Sequence, residues 1–157
     1  TVENKATLFA KTALFINIEH PATIQTQSRP RYYPGDEIAW ANTHMPLEWY
    51  AGGPNRPELQ NIAWNAFKRF GVPVELDPSP APPAGDAGVF FRFVPALDAG
   101  EYHSYFHTDW ETPEVVPWTG LEASTRAFAK IIDDVNKLPL STFQRPEEPA
   151  PARRGAD

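Results

Sequence analysis

The feature that most constrains the fold is the run "TALFINI", residues 12–18, a continuous, mainly apolar segment that is rich in strand-forming side chains. Such a run is typical of a strand buried on both faces inside an α/β sheet. Two polar residues, Glu19 and His20, follow it at once. Because α/β folds place their sites at the carboxyl ends of central strands, the run predicts both a buried strand and the position of a site.

Two amphipathic helices are predicted further along the chain. The first is capped by Asn55, has Pro57 in its first turn and ends at Gly71. The second has Thr119 as its N-cap and Glu122 three residues later, which is the pattern of a capping box. The predicted buried faces consist of Leu59, Ile62, Ala63, Ala66, Phe67 and Phe70 in the first helix, and Leu121, Phe128, Ile131, Ile132, Val135 and Leu138 in the second.

Residues 72–76 and 89–97 are further strand candidates, and the Pro/Gly/Ala-rich segment 77–88 between them predicts a loop. The resulting order of strands and helices predicts the α/β class, with a thin sheet whose edge exposes backbone unless something covers it. We expect one domain over residues 1–138. Residues 22–56 predict an aromatic-rich loop excursion, either a functional lid or a packed loop over a sheet edge. The Pro-rich residues 139–157 predict a disordered tail.

Composition excludes several classes of function. The 157-residue chain has a net charge of −6, which argues against nucleic acid or an anionic membrane as its partner. It has no cysteine, which excludes disulfides, zinc–thiolate sites and thiol nucleophiles. It contains neither an apolar run of about 20 residues nor a signal-peptide pattern. Because the sequence opens in what reads as the end of a helix, we expect it to start inside a domain.

Two motifs carry a resemblance to a known family. The segment "FHTDWETPE", residues 106–114, resembles the last metal-binding segment of the M28 family of zinc peptidases, which includes aminopeptidases and glutamate carboxypeptidases. That segment reads [FY]-H-[TS]-x-x-[DE]-T and precedes a C-terminal helix, so the match covers residues 105–138. A second family pattern, N-[LI]-D, is similar to "NIE" at Asn17–Glu19. The resemblance implies that Glu19 and His107 are metal ligands, with His20 as a competitor of Glu19.

The resemblance also implies what this chain lacks. The family fold is a mixed-sheet, three-layer (phosphorylase/hydrolase-like) α/β fold, and five residues hold its two zinc ions. This chain matches only the last two ligand positions, so it is expected to be the C-terminal half of such a domain and inactive alone. The other ligands and the general base are expected upstream of Thr1, in an N-terminal half that is a separate fragment or subunit. The family points to exopeptidase-like hydrolysis of peptides and to a secreted or periplasmic protein.

Around His107, the resemblance leaves several roles open. Asp109 or Glu111 is a possible carboxylate partner for the second ring nitrogen of His107. Tyr105, Phe106 and Trp110 are possible substrate-pocket residues, although Phe106 stands where some relatives have Tyr and cannot donate a hydrogen bond. Two other interpretations stay open. One is a non-catalytic binding or assembly protein on the same scaffold, and the other is an independent small α/β domain whose acids and His are unrelated to metal.

Overall fold

The computed structural model describes residues 7–19, 26–29, 39–42, 47–51, 57–76, 82–83, 85–91, 93–100, 108–109, 112–113 and 118–143. The strands between residues 26 and 51 are described by their backbone. The described residues form six strands, β1 (Phe15–Ile18), β2 (Thr26–Arg29), β3 (Ala39–Asn42), β4 (Leu47–Ala51), β5 (Val74–Leu76) and β6 (Ala96–Gly100), and three α-helices, α1 (Pro57–Phe70), α2 (Asp86–Phe90) and α3 (Trp118–Val135).

A four-stranded mixed sheet, in the order β1-β6-β4-β5, organises the fold. Strand β1 is parallel to β6, β4 is antiparallel to β6, and β4 is parallel to β5. Strands β2 and β3 form a separate antiparallel pair. This combination of a mixed sheet and three helices confirms the predicted α/β class. In the part of the chain that is described, no helix is both long and apolar enough to cross a membrane.

The larger hydrophobic core lies between the sheet and helices α1 and α3. Small side chains allow these two helices to pack closely, because Ala63 and Ala66 of α1 and Ala127 of α3 are all buried there. Leu14, just before β1, also packs against this core, as do Ile16 of β1 and Val74 of β5. Its buried members are Leu59, Ala63, Ala66, Phe67, Val72, Leu97, Ala99, Ala127, Phe128, Ile131, Val135 and Phe143.

Helix α2 covers the opposite face of the sheet. Phe15 of β1 packs with Phe91 and Ala96 in a second, smaller cluster, and its ring stacks on Phe90 with centroids 4.5 Å apart. Strand β1 therefore contacts packed side chains on both faces, as its apolar sequence predicts. Its burial is incomplete, however, because Ile18 is 45% exposed and β1 lies at one edge of the described sheet.

Helix α1 confirms the predicted roles of Pro57 and Gly71 at its ends, whereas the predicted cap, Asn55, lies outside the described residues. It begins at Pro57 and ends before Gly71, which has a φ of 70°. The Val72 N–H donates to the Phe67 carbonyl (3.0 Å) and the Gly71 N–H donates to the Lys68 carbonyl (3.4 Å). This pair of bonds is a Schellman motif, which satisfies helix carbonyls that would otherwise lack donors.

Helix α3 corrects two predictions. It begins at Trp118, so Thr119 lies inside its first turn and is not the N-cap of a capping box. Its buried face is also rotated from the predicted one. Phe128, Ile131 and Val135 are buried as predicted, whereas Leu121, Ile132 and Leu138 are exposed. The reason is tertiary, because α3 packs against α1 and buries a face that includes the small residues Gly120, Ser124 and Ala127.

The structure also differs from the local patterns in four other predicted segments. Helix α2 begins inside the predicted loop 77–88, and the predicted strand 89–97 is instead helical to Phe90, with strand β6 starting at Ala96. Strands β2, β3 and β4 lie in the predicted loop excursion 22–56. Residues 139–143 of the predicted tail include a short 3₁₀ helix and the core residue Phe143, which is 2% exposed. Residues 144–157 lie outside the described part.

Candidate functional site

The candidate site lies at the carboxyl ends of the parallel strands β1 and β6. The register pairs Asn17 with Asp98. Glu19 follows β1 directly, and its N–H donates to the Ala99 carbonyl (2.9 Å), which extends the pairing past the end of β1. Because side chains alternate along a strand, Asn17 and Glu19 share the face of Phe15, which α2 covers. The predicted position of polar residues after a buried strand is therefore where the structure has its polar cluster.

The side-chain amide of Asn17 joins two carboxylates. Its Nδ2 donates to Oε1 of Glu19 (2.8 Å) and to Oδ1 of Asp98 (2.9 Å). An amide NH₂ group has two hydrogens, so both are used here, one for each acid. Hydrogen bonds to ionised acceptors are stronger than bonds between neutral groups, so this amide holds the two carboxylates in place.

Two glycines lie beside Glu19, and the approach is close at one of them, Gly85. Gly85, just before α2, has φ 75° and ψ −154°, a combination that is essentially restricted to glycine. A Cβ atom on Gly85 would lie 3.1 Å from Oε1 of Glu19 and 3.8 Å from Oε2. A Cβ atom on Gly100 would lie 3.8 Å from the Cβ of Glu19, which is ordinary contact. The Glu19 carboxylate thus sits between the Asn17 amide and the Gly85 backbone.

The surroundings of Asp98 raise the pKa of its carboxyl group. Burial raises the pKa of the Asp98 carboxyl above its ordinary value, and repulsion from Glu19 and Asp86 raises the pKa further. The hydrogen bond from Asn17 acts against these two effects and lowers the pKa, but it does not cancel them. Glu19 and Asp86 therefore both come close enough to Asp98 to repel its charge, although neither is near it in sequence.

Of the residues that the sequence singles out for function, Glu19 is at this site. Asp109 is described too, and it is exposed. Within the described ranges, no group of three or more His, Cys, Asp or Glu could hold a metal ion. The remaining predicted site residues lie outside those ranges: His20, Tyr105, Phe106, His107, Trp110 and Glu111.

The register also places the backbone of Glu48 in β4 opposite Gly100, at the end of the sheet where Glu19 lies.

Sequence reasoning missed Asp98, Asp86 and Gly85 as members of the site. Asp98 carried a usable signal, because it directly follows the predicted strand 89–97, as Glu19 follows the first strand. Asp86 and Gly85 carried none, because they lie in a segment that predicted only a loop. Their role depends on α2 packing over β1, which is a tertiary contact.

Comparison of the chain with protein-family models, with curated proteins and with solved structures finds no match.

Proposed function

We propose that this chain is the C-terminal half of an M28-like zinc peptidase domain with a three-layer, phosphorylase/hydrolase-like fold. Its reaction is the exopeptidase-like hydrolysis of peptide bonds. The observation that carries the proposal is the Glu19 carboxylate, which Asn17 holds at 2.8 Å at the carboxyl end of β1. The resemblance to the M28 family implies an acidic metal ligand at this position.

The described residues fit one part of a zinc site. Glu19 supplies a carboxylate oxygen, which zinc accepts as a ligand together with imidazole nitrogen. Its Oε1 accepts from Asn17, and among the described residues its Oε2 has no hydrogen-bond partner. A polar group that is already oriented by a neighbouring donor is typical of a metal ligand, because outer hydrogen bonds fix the direction of the ligand atom.

In this proposal, Glu19 binds one zinc ion and His107 binds the other. Asp109 or Glu111 accepts the second ring N–H of His107 and so fixes its tautomer. Bound zinc supplies a water of lowered pKa and polarises the scissile carbonyl. Tyr105, Phe106 and Trp110 contribute to the substrate pocket.

The rest of the active site belongs to the N-terminal half of the domain, which supplies the remaining ligands and the general base. This chain is inactive without that half. By resemblance, the assembled peptidase is secreted or periplasmic.

A non-catalytic binding or assembly protein on the same scaffold is the second candidate function. Two observations favour it: Phe106 cannot donate a hydrogen bond to a reacting carbonyl, and Glu19 stands where the family has Asp. Such a protein retains the fold and binds one zinc ion or none, whereas the peptidase binds two.

The test is a denaturing intact-mass spectrum of the native particle, together with its zinc content and its hydrolysis of aminoacyl-peptide substrates. The peptidase predicts a mass beyond 17.6 kDa for this chain, either as a second polypeptide or as a longer chain, with two zinc ions and hydrolysis that a chelator abolishes. A folded 17.6 kDa monomer without zinc contradicts the proposal. An assembled particle with one zinc ion or none and no hydrolysis favours the binding protein.

Variants connect the result to the site. Glu19→Gln is expected to remove zinc and hydrolysis together, because the amide is a much poorer ligand than the carboxylate. Glu75→Gln is the matched control, since Glu75 is an exposed acid on β5. Equal zinc content in the two variants would exclude Glu19 as a ligand.

A further inference from the structure

The Asn17 amide does more than bond to its neighbour Glu19, because it also reaches Asp98 on the adjacent strand. We infer that Asn17 and Asp98 are positioning residues for Glu19, and that Glu19 binds its cation through Oε2. This inference rests on the proposed function, since it takes Glu19 to be a metal ligand.

The two oxygens of the Glu19 carboxylate have different surroundings. Oε1 accepts the hydrogen bond from Asn17, and it is the oxygen nearer to Gly85, 3.1 Å from where a Cβ on that residue would lie. Oε2 lies 3.8 Å from that position and, among the residues described, accepts no hydrogen bond. The Asn17 amide on β1 therefore holds Oε1, and Oε2 is the oxygen left to bind a cation.

Asp98 determines which way the Asn17 amide is turned. Both amide hydrogens are engaged by carboxylates, so a flip of the amide would break two hydrogen bonds at once. The flip would also place the amide oxygen against two acids, which repel it. Asp98 is half-buried, so the bond from Asn17 replaces water that its carboxylate has lost. Asp98 thus acts on Glu19 through Asn17, without touching the cation.

The test measures the affinity of the complete protein for Zn²⁺ by competition with a chromophoric chelator, after metal has been removed by dialysis. Asp98→Ala and Asn17→Ala are expected to weaken Zn²⁺ binding by about 10- to 100-fold, the usual effect of losing an outer-shell partner. Asp98→Asn keeps an oxygen acceptor for Asn17 and is expected to stay within about threefold of the parent protein. Glu75→Gln is the unaffected control.

Four outcomes decide the matter. Loss in Asp98→Ala with rescue in Asp98→Asn supports positioning through a hydrogen bond. Equal loss in both Asp98 variants overturns it, because the charge of Asp98 would then matter and not its acceptor. Parent-like affinity in both Asp98 variants, with loss in Glu19→Gln, overturns this inference and leaves the proposed function standing. Parent-like affinity in Glu19→Gln overturns both proposals.

A second readout separates positioning from folding. Thermal unfolding of the metal-free variants shows whether each one folds, and the visible spectrum of the Co²⁺-loaded protein reports the ligand geometry. Positioning predicts a changed Co²⁺ spectrum in Asp98→Ala and a parent-like spectrum in Asp98→Asn. If Asn17→Ala does not fold, the two Asp98 variants still decide the outcome.

Discussion

Replacing Gly85 with alanine is expected to destabilise the protein by two separable effects. The first is backbone strain, because the conformation at Gly85 (φ 75°, ψ −154°) is disfavoured for residues with a Cβ and costs on the order of 1–3 kcal/mol. The second is a contact, because the new Cβ would lie 3.1 Å from Oε1 of Glu19. That contact displaces the carboxylate slightly and disturbs the geometry of its charge-assisted hydrogen bond with Asn17, a bond worth about 1.5–3 kcal/mol.

Gly71→Ala is the matched control for strain alone. Gly71 also has a positive φ, 70°, but a Cβ there meets nothing within 4 Å. Its replacement is expected to cost about 1–2 kcal/mol, the penalty for an L-residue in a left-handed conformation. We therefore expect Gly85→Ala to lower the free energy of unfolding by about 1–2 kcal/mol more than Gly71→Ala does.

Urea denaturation of a double-mutant cycle with Glu19→Ala isolates the contact. Removing the Glu19 carboxylate removes the clash, so Gly85→Ala should cost less in the Glu19→Ala background, by a coupling energy of about 1–2 kcal/mol. Gly71→Ala should cost the same in both backgrounds. An equal cost of Gly85→Ala in the two backgrounds would refute the close approach of Gly85 to Glu19.

Three further predictions follow from burial and charge. The pKa of Asp98 is raised in the folded state. The contribution of Asp98 to stability is therefore complete at a pH below its ordinary pKa of 3.8, and it is lost as the pH rises through the pKa of the folded state. Asp98→Asn should therefore gain stability relative to the parent protein between acidic and neutral pH, measured as the denaturation midpoint against pH. Ser124→Ala should be neutral or stabilising by up to about 1 kcal/mol in urea denaturation, because the buried Ser124 hydroxyl has no partner in the described structure; a clear loss of stability would reveal one. Phe143→Ala should cost about 3–5 kcal/mol, whereas a change at the partly exposed Leu140 should cost far less; equal effects would contradict the packing of residues 139–143.

Sequence patterns located the elements that local chemistry specifies. Pro57 and Gly71 marked the two ends of α1 because proline suits a first helical turn and glycine tolerates the positive φ that ends a helix. The apolar run before Glu19 identified β1 and its carboxyl end. The same reasoning was wrong for α3, where the face that packs against α1 was set by its partner and not by its largest apolar side chains.

Long-range pairing decided what local patterns could not. Strand β4 lies in the middle of the sheet although its segment predicts a loop, because β6 and β5 pair with its backbone on either side. Such pairing depends on partners about 25 to 50 residues away along the chain, so no local window contains the signal. Phe143 likewise becomes a core residue only because α1 and α3 form the space that it fills.

By itself, the sequence determined that an acid follows an apolar strand and that two helices have apolar faces. These features follow from the order and spacing of residues. Only the tertiary structure decided that Asn17 and Asp98, 81 positions apart, share a hydrogen bond, and that Gly85 abuts Glu19. The parallel register of β1 with β6 and the packing of α2 over β1 create these contacts. Neither the register nor the packing can be read from the residue types at positions 17, 19, 85 and 98.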